Sequence, residues 1–193
     1  MHTTRLITAP TIEPVALAEA KAHMAVSIDL DDAYVTALIA VARHHVETVT
    51  RRALITQTVE MTMDYFCGVI LLSMPALSVT SIRYTDTAGV DTLLSASNYD
   101  VDLYSEIPRI TPKYGYFWPA TKIELNAVRI RYQSGYGPAA ADVPPPIRQA
   151  ILLMVSHLYE HRESVVQLER GALSELPQGL DRLLWPYRAL DYR

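Results

Sequence analysis

The sequence has 193 residues, a net charge of −4 and 50% hydrophobic residues, which is typical of a folded globular protein rather than a disordered one. The negative charge disfavours a nucleic-acid binder that depends on a basic surface, because contact with phosphates requires clustered Lys and Arg. The single cysteine, Cys67, excludes an internal disulfide, and its apolar neighbours predict a buried, inert thiol. We recognise no secretory signal and no apolar stretch long enough to span a bilayer, so we expect a soluble cytoplasmic product.

The first quarter of the chain predicts two helices. The first is short and covers residues 17–24. The second begins near Asp29, Asp31 and Asp32, whose carboxylates are suited to cap a helix and to lie near the positive end of its dipole. Its apolar residues recur at helical spacing and predict one buried face, formed by Val35, Leu38, Ile39, Ala42, Val46, Val49 and Ala53.

From Leu54 the hydrophobic period changes to two, which indicates β-strands. Val59, Met61 and Met63 alternate with polar residues in the first of them. Further strands are predicted at residues 69–72, 81–85, 99–104 and 127–133. In the last of these, Val128, Ile130 and Tyr132 share one face, and Arg129, Arg131 and Gln133 share the other. Residues 105–119 are rich in proline and predict a long loop.

The last quarter of the chain returns to helices. Residues 145–163 predict a helix that is apolar nearly all round and therefore needs two packing partners. One partner can be the chain's own core, and we expect a neighbouring subunit to contact the second face, at Leu152 and Tyr159. A final short helix carries Leu180, Leu183 and Leu184 and is bent or ended by Pro186.

These elements predict an α+β fold in which an antiparallel helical bundle forms a frame and a β-rich insertion separates the second and third long helices. Residues 1–53 would be the N-terminal helices of the frame and residues 54–137 the insertion. Residues 138–193 would complete the frame and end in a partner-docking tail.

Candidate chemistry is sparse. His157 and His161 are spaced to lie on one helix face, where they could hold a metal ion with a third ligand such as Glu163 or His45. The residue after the first histidine is not the glutamate that a zinc protease helix uses as a general base. A small metal-dependent enzyme is therefore the alternative hypothesis, and a DNA-packaging accessory that binds nucleic acid is a third. The sequence has no phosphate-binding loop, nucleophile elbow or paired cysteines, which favours a structural, non-enzymatic protein.

Three segments in a fixed order resemble one family. The first consists of residues 13–24 (EPVALAEAKAHM) and 46–58 (VETVTRRALITQT). The second consists of residues 147–155 (IRQAILLMV) and 157–163 (HLYEHRE), and the third of residues 177–188 (PQGLDRLLWPYR). Together they resemble the head–tail connector (adaptor) proteins of long-tailed double-stranded-DNA phages and prophages, in the longer version with a β insertion.

The chain departs from that family's pattern at two positions. Ala16 stands where a Ser or Thr usually forms a capping box with the residue equivalent to Glu19, and alanine cannot cap a helix. Arg51 stands where a glycine commonly ends the second helix. Without that glycine we expect the helix to continue to Ala53.

The resemblance implies a structural virion protein that forms a ring, typically twelve-fold, at the head–tail junction after assembly in the host cytoplasm. Such a ring docks on the portal protein, extends the DNA channel and presents a surface to a further connector or tail-completion protein. DNA would pass through without specific binding, and no cofactor, metal or membrane is implied. We expect residues 177–193 to dock on the portal, with Leu184, Trp185, Tyr187 and Arg188 as interface residues beside Leu152 and Tyr159.

Overall fold

The computed structural model describes residues 2–105, 107–161 and 178–189. The chain divides into two compact units, one formed by Met1–Thr11 and Ile55–Pro138 and the other by Ile12–Leu54 and Ala139–Arg193. The first unit holds the antiparallel strands and the second holds the helices, so the predicted α+β class is confirmed.

The strands of the first unit form two antiparallel sheets. In chain order they are β1 (His2–Thr8), β2 (Gln57–Met63), β3 (Ile70–Leu71), β4 (Ala76–Thr85), β5 (Asp91–Leu93), β6 (Tyr99–Asp102), β7 (Arg109–Pro112) and β8 (Val128–Ser134). The larger sheet has the order β1-β2-β8-β4-β5, and the smaller has the order β3-β7-β6. β8 therefore lies at the centre of the larger sheet, between β2 and β4.

The alternation of apolar and polar residues along β8 explains its central position. Val128, Ile130 and Tyr132 are fully buried, as predicted, and pair across the sheet with Met63, Met61 and Val59 of β2. The buried Tyr132 keeps its hydroxyl satisfied, because that oxygen accepts a hydrogen bond from the Ser73 amide at 3.2 Å. One face of the larger sheet thus contributes a continuous hydrophobic core.

Two strands of the first unit differ from the sequence expectation. β1 belongs to the larger sheet, whereas the sequence pattern grouped residues 1–53 with the helices. All its side chains are exposed, so hydrophobic periodicity gave no signal for it. β7 falls inside the predicted loop 105–119, where the backbone pairs with β3 and β6 and the side chain of Ile110 is fully buried. Cys67 is exposed rather than buried.

The second unit consists of α1 (Leu17–His23), α2 (Asp32–Thr50), α3 (Pro145–Glu160) and α4 (Gln178–Leu184). α2 packs against α3, and α3 also contacts α1 and α4. The buried residues of α2 fall at the predicted helical spacing, from Val35 to Val46. None of the helices in the described ranges is long and apolar enough to cross a membrane.

The start of α1 and the end of α2 test two local predictions. Ala16 makes no side-chain cap, as expected. The prediction that α2 continues to Ala53 is wrong, because the helix ends at Thr50 and Arg51 adopts the left-handed conformation (φ 56°, ψ 34°) without being glycine. The turn is held downstream, where Leu54 is fully buried and its amide donates to Oε1 of Glu47 at 3.0 Å.

Candidate partner-binding surfaces

The second apolar face of α3 is covered by the chain itself at Leu152 and only partly at Leu153 and Tyr159. Leu152 is only 7% exposed, and α1, α2 and α4 all pack around this helix. Leu152 is therefore buried within its own unit, and a contact between this side of α3 and a neighbouring subunit stays a prediction.

Tyr159, at the other end of the same face, is half-buried and already engaged within its unit. Its hydroxyl donates to Oδ2 of Asp31 at 2.6 Å, and its ring lies 6.2 Å from that of Tyr34. The expected N-cap therefore does not form, because Asp31 makes no side-chain cap and instead accepts this bond. A contact between Tyr159 and a partner stays a prediction.

The C-terminal segment has a buried side and an exposed side. Leu180 and Leu184 are buried, and α4 contacts α2 and α3. A 3-10 turn, Trp185–Tyr187, follows α4 and leaves Trp185 69% exposed, with the Arg188 guanidinium 5.5 Å from the centre of its ring.

Two hydrogen bonds hold the end of the described tail. The Tyr187 carbonyl accepts from Nε of Arg52 at 2.7 Å, and the Ala189 amide donates to the Thr50 carbonyl at 2.9 Å. The sequence predicts a chain that is free from Tyr187 onwards to lie along a partner. Residues 187–189 are instead attached to the end of α2, and the remaining tail residues, 190–193, lie outside the described residues.

The histidine pair does not gather a ligand set. The rings of His157 and His161 lie 4.5 Å apart, and Nδ1 of His161 is 3.0 Å from the His157 carbonyl oxygen. Across residues 2–105, 107–161 and 178–189, no three His, Cys, Asp or Glu side chains are placed to hold a metal ion. Of the two third ligands considered from the sequence, His45 lies among those residues and Glu163 lies outside them.

The outer face of the larger sheet carries a cluster of charged side chains that sequence reasoning missed. Arg5, Glu60 and Arg131 are direct cross-strand neighbours on β1, β2 and β8. Glu60, whose side chain is 3% exposed, accepts from both arginines at 2.6 Å. Burial alone would raise the pKa of Glu60, but the hydrogen bonds from Arg131 and Arg5 outweigh it and hold the pKa below its ordinary value.

A second carboxylate bridges two arginines beside this row. Arg83 and Arg129 are directly opposite on β4 and β8, an arrangement that destabilises a sheet unless the like charges are compensated. Asp91 of β5 compensates them, with Oδ2 2.8 Å from Arg83 and Oδ1 2.7 Å from Arg129. The hydrogen bond from Arg83 is the largest of the effects that lower the pKa of Asp91.

We call this surface the arginine face: Arg5, Arg83, Arg129 and Arg131 with Glu60 and Asp91, around a depression of about 330 Å³. The sequence showed that Arg129 and Arg131 point away from the core. It did not show the cluster, because Arg5 and Asp91 lie on β1 and β5, the two edge strands that were not predicted.

Residues 28–32 of the second unit form an exposed acidic segment, which we call the acidic turn. It contains a 3-10 turn, Asp29–Asp31, and the first residue of α2, Asp32. The side chain of Asp29 and the residue Leu30 are each 90% exposed. Nζ of Lys21 donates to Asp29 at 2.8 Å and to Asp32 at 2.6 Å, and these hydrogen bonds raise the pKa of Lys21.

The aromatic residues of the loop after β7 divide into two groups. Trp118 stacks on Phe66 with ring centres 4.8 Å apart, and its Nε1 donates to the Gly68 carbonyl. Tyr114 and Phe117 are almost completely exposed. Apolar side chains this exposed are typical of surfaces that meet another protein.

No family model and no curated protein matches the sequence. Solved structures do match it. A chain in the neck of the empty gene transfer agent particle, computed with C6 symmetry, aligns at a TM-score of 0.80 and 23% identity, over 99% of this chain and 97% of that chain. Chains in the virion of the native particle and in its neck, computed with C12 symmetry, align over the same shares at 23% identity, with TM-scores of 0.80 and 0.72. The chain therefore shares its fold with a neck protein over nearly the full length of both.

Proposed function

We propose that this chain is a non-enzymatic structural subunit of the neck that joins head and tail in a DNA-carrying particle. The single observation that carries the proposal is the full-length fold likeness to a neck protein of the gene transfer agent. The order of the three helical segments that resemble head–tail connectors supports it independently, because that resemblance was drawn from residues and not from the fold.

The subunit acts as one copy in a ring. The structures that share the fold include necks computed with C6 and with C12 symmetry, which supports a ring with a multiple of six copies. A ring of this kind extends the DNA channel of the head. The chain's net charge of −4 suits such a channel, because DNA must slide through it and a strongly basic wall would bind phosphates.

The two ends of the ring meet different proteins. We assign the portal-facing contact to Trp185, which is exposed, and to the half-buried Arg188 beside it, because these residue types often dominate interface energy. The exposed Tyr114 and Phe117 of the first unit are the corresponding candidates for the next connector or tail-completion protein.

Deleting the gene from a particle-producing strain tests the proposal. The expected product is DNA-filled heads and separate tails, counted by negative-stain electron microscopy, with joined particles restored by the wild-type gene supplied in trans. Normal numbers of joined particles from the deletion strain would contradict the proposal.

The metal-dependent alternative has its own control in the same experiment. The variant His157→Ala/His161→Ala removes the candidate ligand pair that the sequence indicates. On the structural proposal it restores joined particles as well as the wild type does. Stoichiometric zinc in the purified wild-type protein, together with failure of this variant to complement, would favour the enzyme instead.

A further inference from the structure

We propose that the arginine face docks an acidic segment of a different protein, one that brings two or more carboxylates to the site. The inference rests on the proposed function, because it names the chemistry of a partner that a neck subunit binds through its strand-bearing unit. The fold likeness leaves this contact open, since it identifies no binding surface on the chain.

The arginine face carries positive charge that its own carboxylates do not compensate. Four arginines surround two carboxylates, so two positive charges are in excess on a chain whose net charge is −4. Lys122 and Glu124, at the edge of the face, bind each other at 3.0 Å and cancel. One surface of the larger sheet therefore has the opposite sign to the molecule as a whole.

The arginines keep hydrogen-bond donors that the chain does not use. Arg131 donates to Glu60 through Nε, and its two terminal nitrogens have no acceptor among the described residues. Nε of Arg129 is buried and makes no hydrogen bond within those residues, so the cluster is not satisfied by its own carboxylates. The side chains of Arg5, Arg83 and Arg131 are between 43% and 66% exposed. The planar fork of a guanidinium matches a carboxylate, and the exposed donors are therefore suited to a further one.

Glu60 and Asp91 fix the arginines before a partner binds. Each carboxylate bridges two arginines on different strands, at 2.6 to 2.8 Å. A long side chain that is already held loses little further rotamer freedom on binding, which favours association. Ser81, the neighbour of Arg131 across β4 and β8, adds a hydroxyl to the same depression. The face is thus preorganised to receive carboxylates.

A protein fits this face better than DNA does. Glu60 and Asp91 lie among the arginines, so a run of phosphates would meet repulsion between the attractive sites. A protein segment can place carboxylates opposite the arginines and neutral or basic residues opposite Glu60 and Asp91. Two carboxylates on such a segment would neutralise the two excess charges.

A second copy of this chain fits the face less well, because its clustered acidic side chains are already paired. In the acidic turn, Lys21 binds both Asp29 and Asp32. On α4, Asp181 binds Arg188. The part of the chain that the structure describes therefore offers no group of free carboxylates for the arginine face, and we take the occupant to be a different protein.

Binding of a labelled oligoglutamate peptide to the free, full-length protein tests the site. Fluorescence anisotropy gives its dissociation constant at low and high ionic strength, with oligoglutamine as the neutral probe and duplex DNA as the phosphate probe. Arg83→Glu reverses one exposed charge of the face and places the new carboxylate opposite Arg129.

Arg109→Glu is the matched control. Arg109 is also about half exposed and also binds an aspartate, Asp102, on the neighbouring strand, but it lies in the smaller sheet. Circular dichroism checks that each variant is folded. Arg83→Gln and Arg109→Gln form a milder pair for the same comparison if a charge reversal unfolds the protein.

We expect the wild type and Arg109→Glu to bind oligoglutamate equally well at low ionic strength and to lose it at high ionic strength. Arg83→Glu should weaken binding at least about tenfold, because it removes an attractive charge and adds a repulsive one. Oligoglutamine should not bind. In the complemented deletion strain, Arg83→Glu should give fewer joined particles per folded protein than Arg109→Glu.

A wild type that does not bind oligoglutamate, or an Arg83→Glu variant that binds it as well as the wild type, would overturn the site. So would an Arg83→Glu variant that joins particles normally. Salt-sensitive binding of duplex DNA that Arg83→Glu abolishes would assign the face to phosphates instead. Self-association of the wild type that Arg83→Glu abolishes, followed by sedimentation velocity, would assign it to a second copy. In each case the neck function stands or falls separately, on the gene deletion.

Discussion

Nη2 of Arg148 on α3 donates to both carboxylate oxygens of Glu19 on α1, each at 2.7 Å. Nε of the same arginine donates to the Pro14 carbonyl at 3.2 Å, so one side chain fastens α3 to α1 and to the segment before it. Ala16 has no side-chain oxygen to form a capping box, and the Glu19 carboxylate binds Arg148. The departure from the family pattern at Ala16 thus coincides with a different use of the glutamate.

The Arg148–Glu19 pair should contribute measurably to the stability of the helical unit. Both side chains are about one-third exposed, so solvent screening limits the coupling between them to about 1 kcal/mol. A double-mutant cycle with Arg148→Ala and Glu19→Ala, measured by urea unfolding, gives that coupling. Arg148→Lys should behave more like Arg148→Ala than like the wild type, because lysine cannot reach both Glu19 and the Pro14 carbonyl in the same geometry. A coupling of zero would show that the pair is incidental.

The sequence predicted the elements that are determined by residues close together in the chain, and it missed those that depend on contacts between distant residues. The alternation of β8 is local, and Val128, Ile130 and Tyr132 were placed correctly. β1 is held by backbone pairing with a strand more than fifty residues away, and its fully exposed side chains carry no periodic signal. Arg51 adopts a left-handed conformation because Leu54, three residues downstream, is buried and bonded to Glu47, and not because of its own propensity.

The candidate surfaces were harder to predict than the fold for the same reason. Sequence reasoning found that α3 is apolar on two faces but could not show which molecule covers the second, and Leu152 is covered by its own chain. The alternation in β2 places Glu60 on the side of the strand away from the apolar core, and it lies there, but it is buried rather than exposed. Its burial comes from Arg5 and Arg131, which reach it from the strands on either side.

Gly135 should tolerate no side chain. Its φ is 136°, and an added Cβ would lie 2.6 Å from the backbone carbon of Ile55 and 2.7 Å from the Thr56 nitrogen. These neighbours are backbone atoms, so they cannot rotate away. We expect Gly135→Ala to lower the free energy of unfolding by about 2 to 4 kcal/mol, from backbone strain and overpacking together. Gly68→Ala is the matched control, because no heavy atom lies within 4 Å of its added Cβ. Equal denaturation midpoints for the two variants would contradict this account.

Asp102 should make the protein's stability dependent on acid pH. Hydrogen bonds from the Ser105 hydroxyl and amide, with others from the Tyr104 amide and Arg109, lower the pKa of Asp102 to about 2 from its ordinary value of 3.8. A carboxylate whose pKa is depressed on folding contributes stability that is complete above its unfolded pKa and is lost as the pH falls through the folded value. The contribution is therefore full above about pH 4 and disappears towards pH 2.

Urea unfolding tests the direction of this pH dependence. It is measured from pH 7 to pH 3 for the wild type, Asp102→Asn and Ser105→Ala. Asp102→Asn should be less stable than the wild type at pH 7, and the difference should narrow only below about pH 4. Ser105→Ala removes the largest of the effects that lower the folded pKa of Asp102, so its acid-induced loss should begin at the same pH as that of the wild type but should be smaller and should end at a higher pH. A wild-type advantage over Asp102→Asn that grows as the pH falls would refute the assignment.

Leu184 and Trp185 are adjacent in the chain. Comparing Leu184→Ala with Trp185→Ala should distinguish packing in the chain's own core from docking on the portal. Leu184 is fully buried, so Leu184→Ala should lower the free energy of unfolding by about 2 to 5 kcal/mol. Trp185 is mostly exposed and its ring meets the Arg188 guanidinium, so Trp185→Ala should cost only about 0.5 to 1 kcal/mol in the free protein.

Leu184→Ala should be the less stable variant, but Trp185→Ala should give fewer joined particles per folded protein in the complemented deletion strain. If Trp185 is a portal contact, Trp185→Ala yields a stable protein that fails to join heads to tails, since truncating a central aromatic at an interface commonly costs about 2 kcal/mol or more of binding energy. Leu184→Ala should reduce joining only as far as it reduces the amount of folded protein, which a soluble-protein blot measures. A Trp185→Ala protein that joins particles at the wild-type level would contradict a portal contact at Trp185. The C-terminal segment would then serve to pack its buried leucines against α2 and α3.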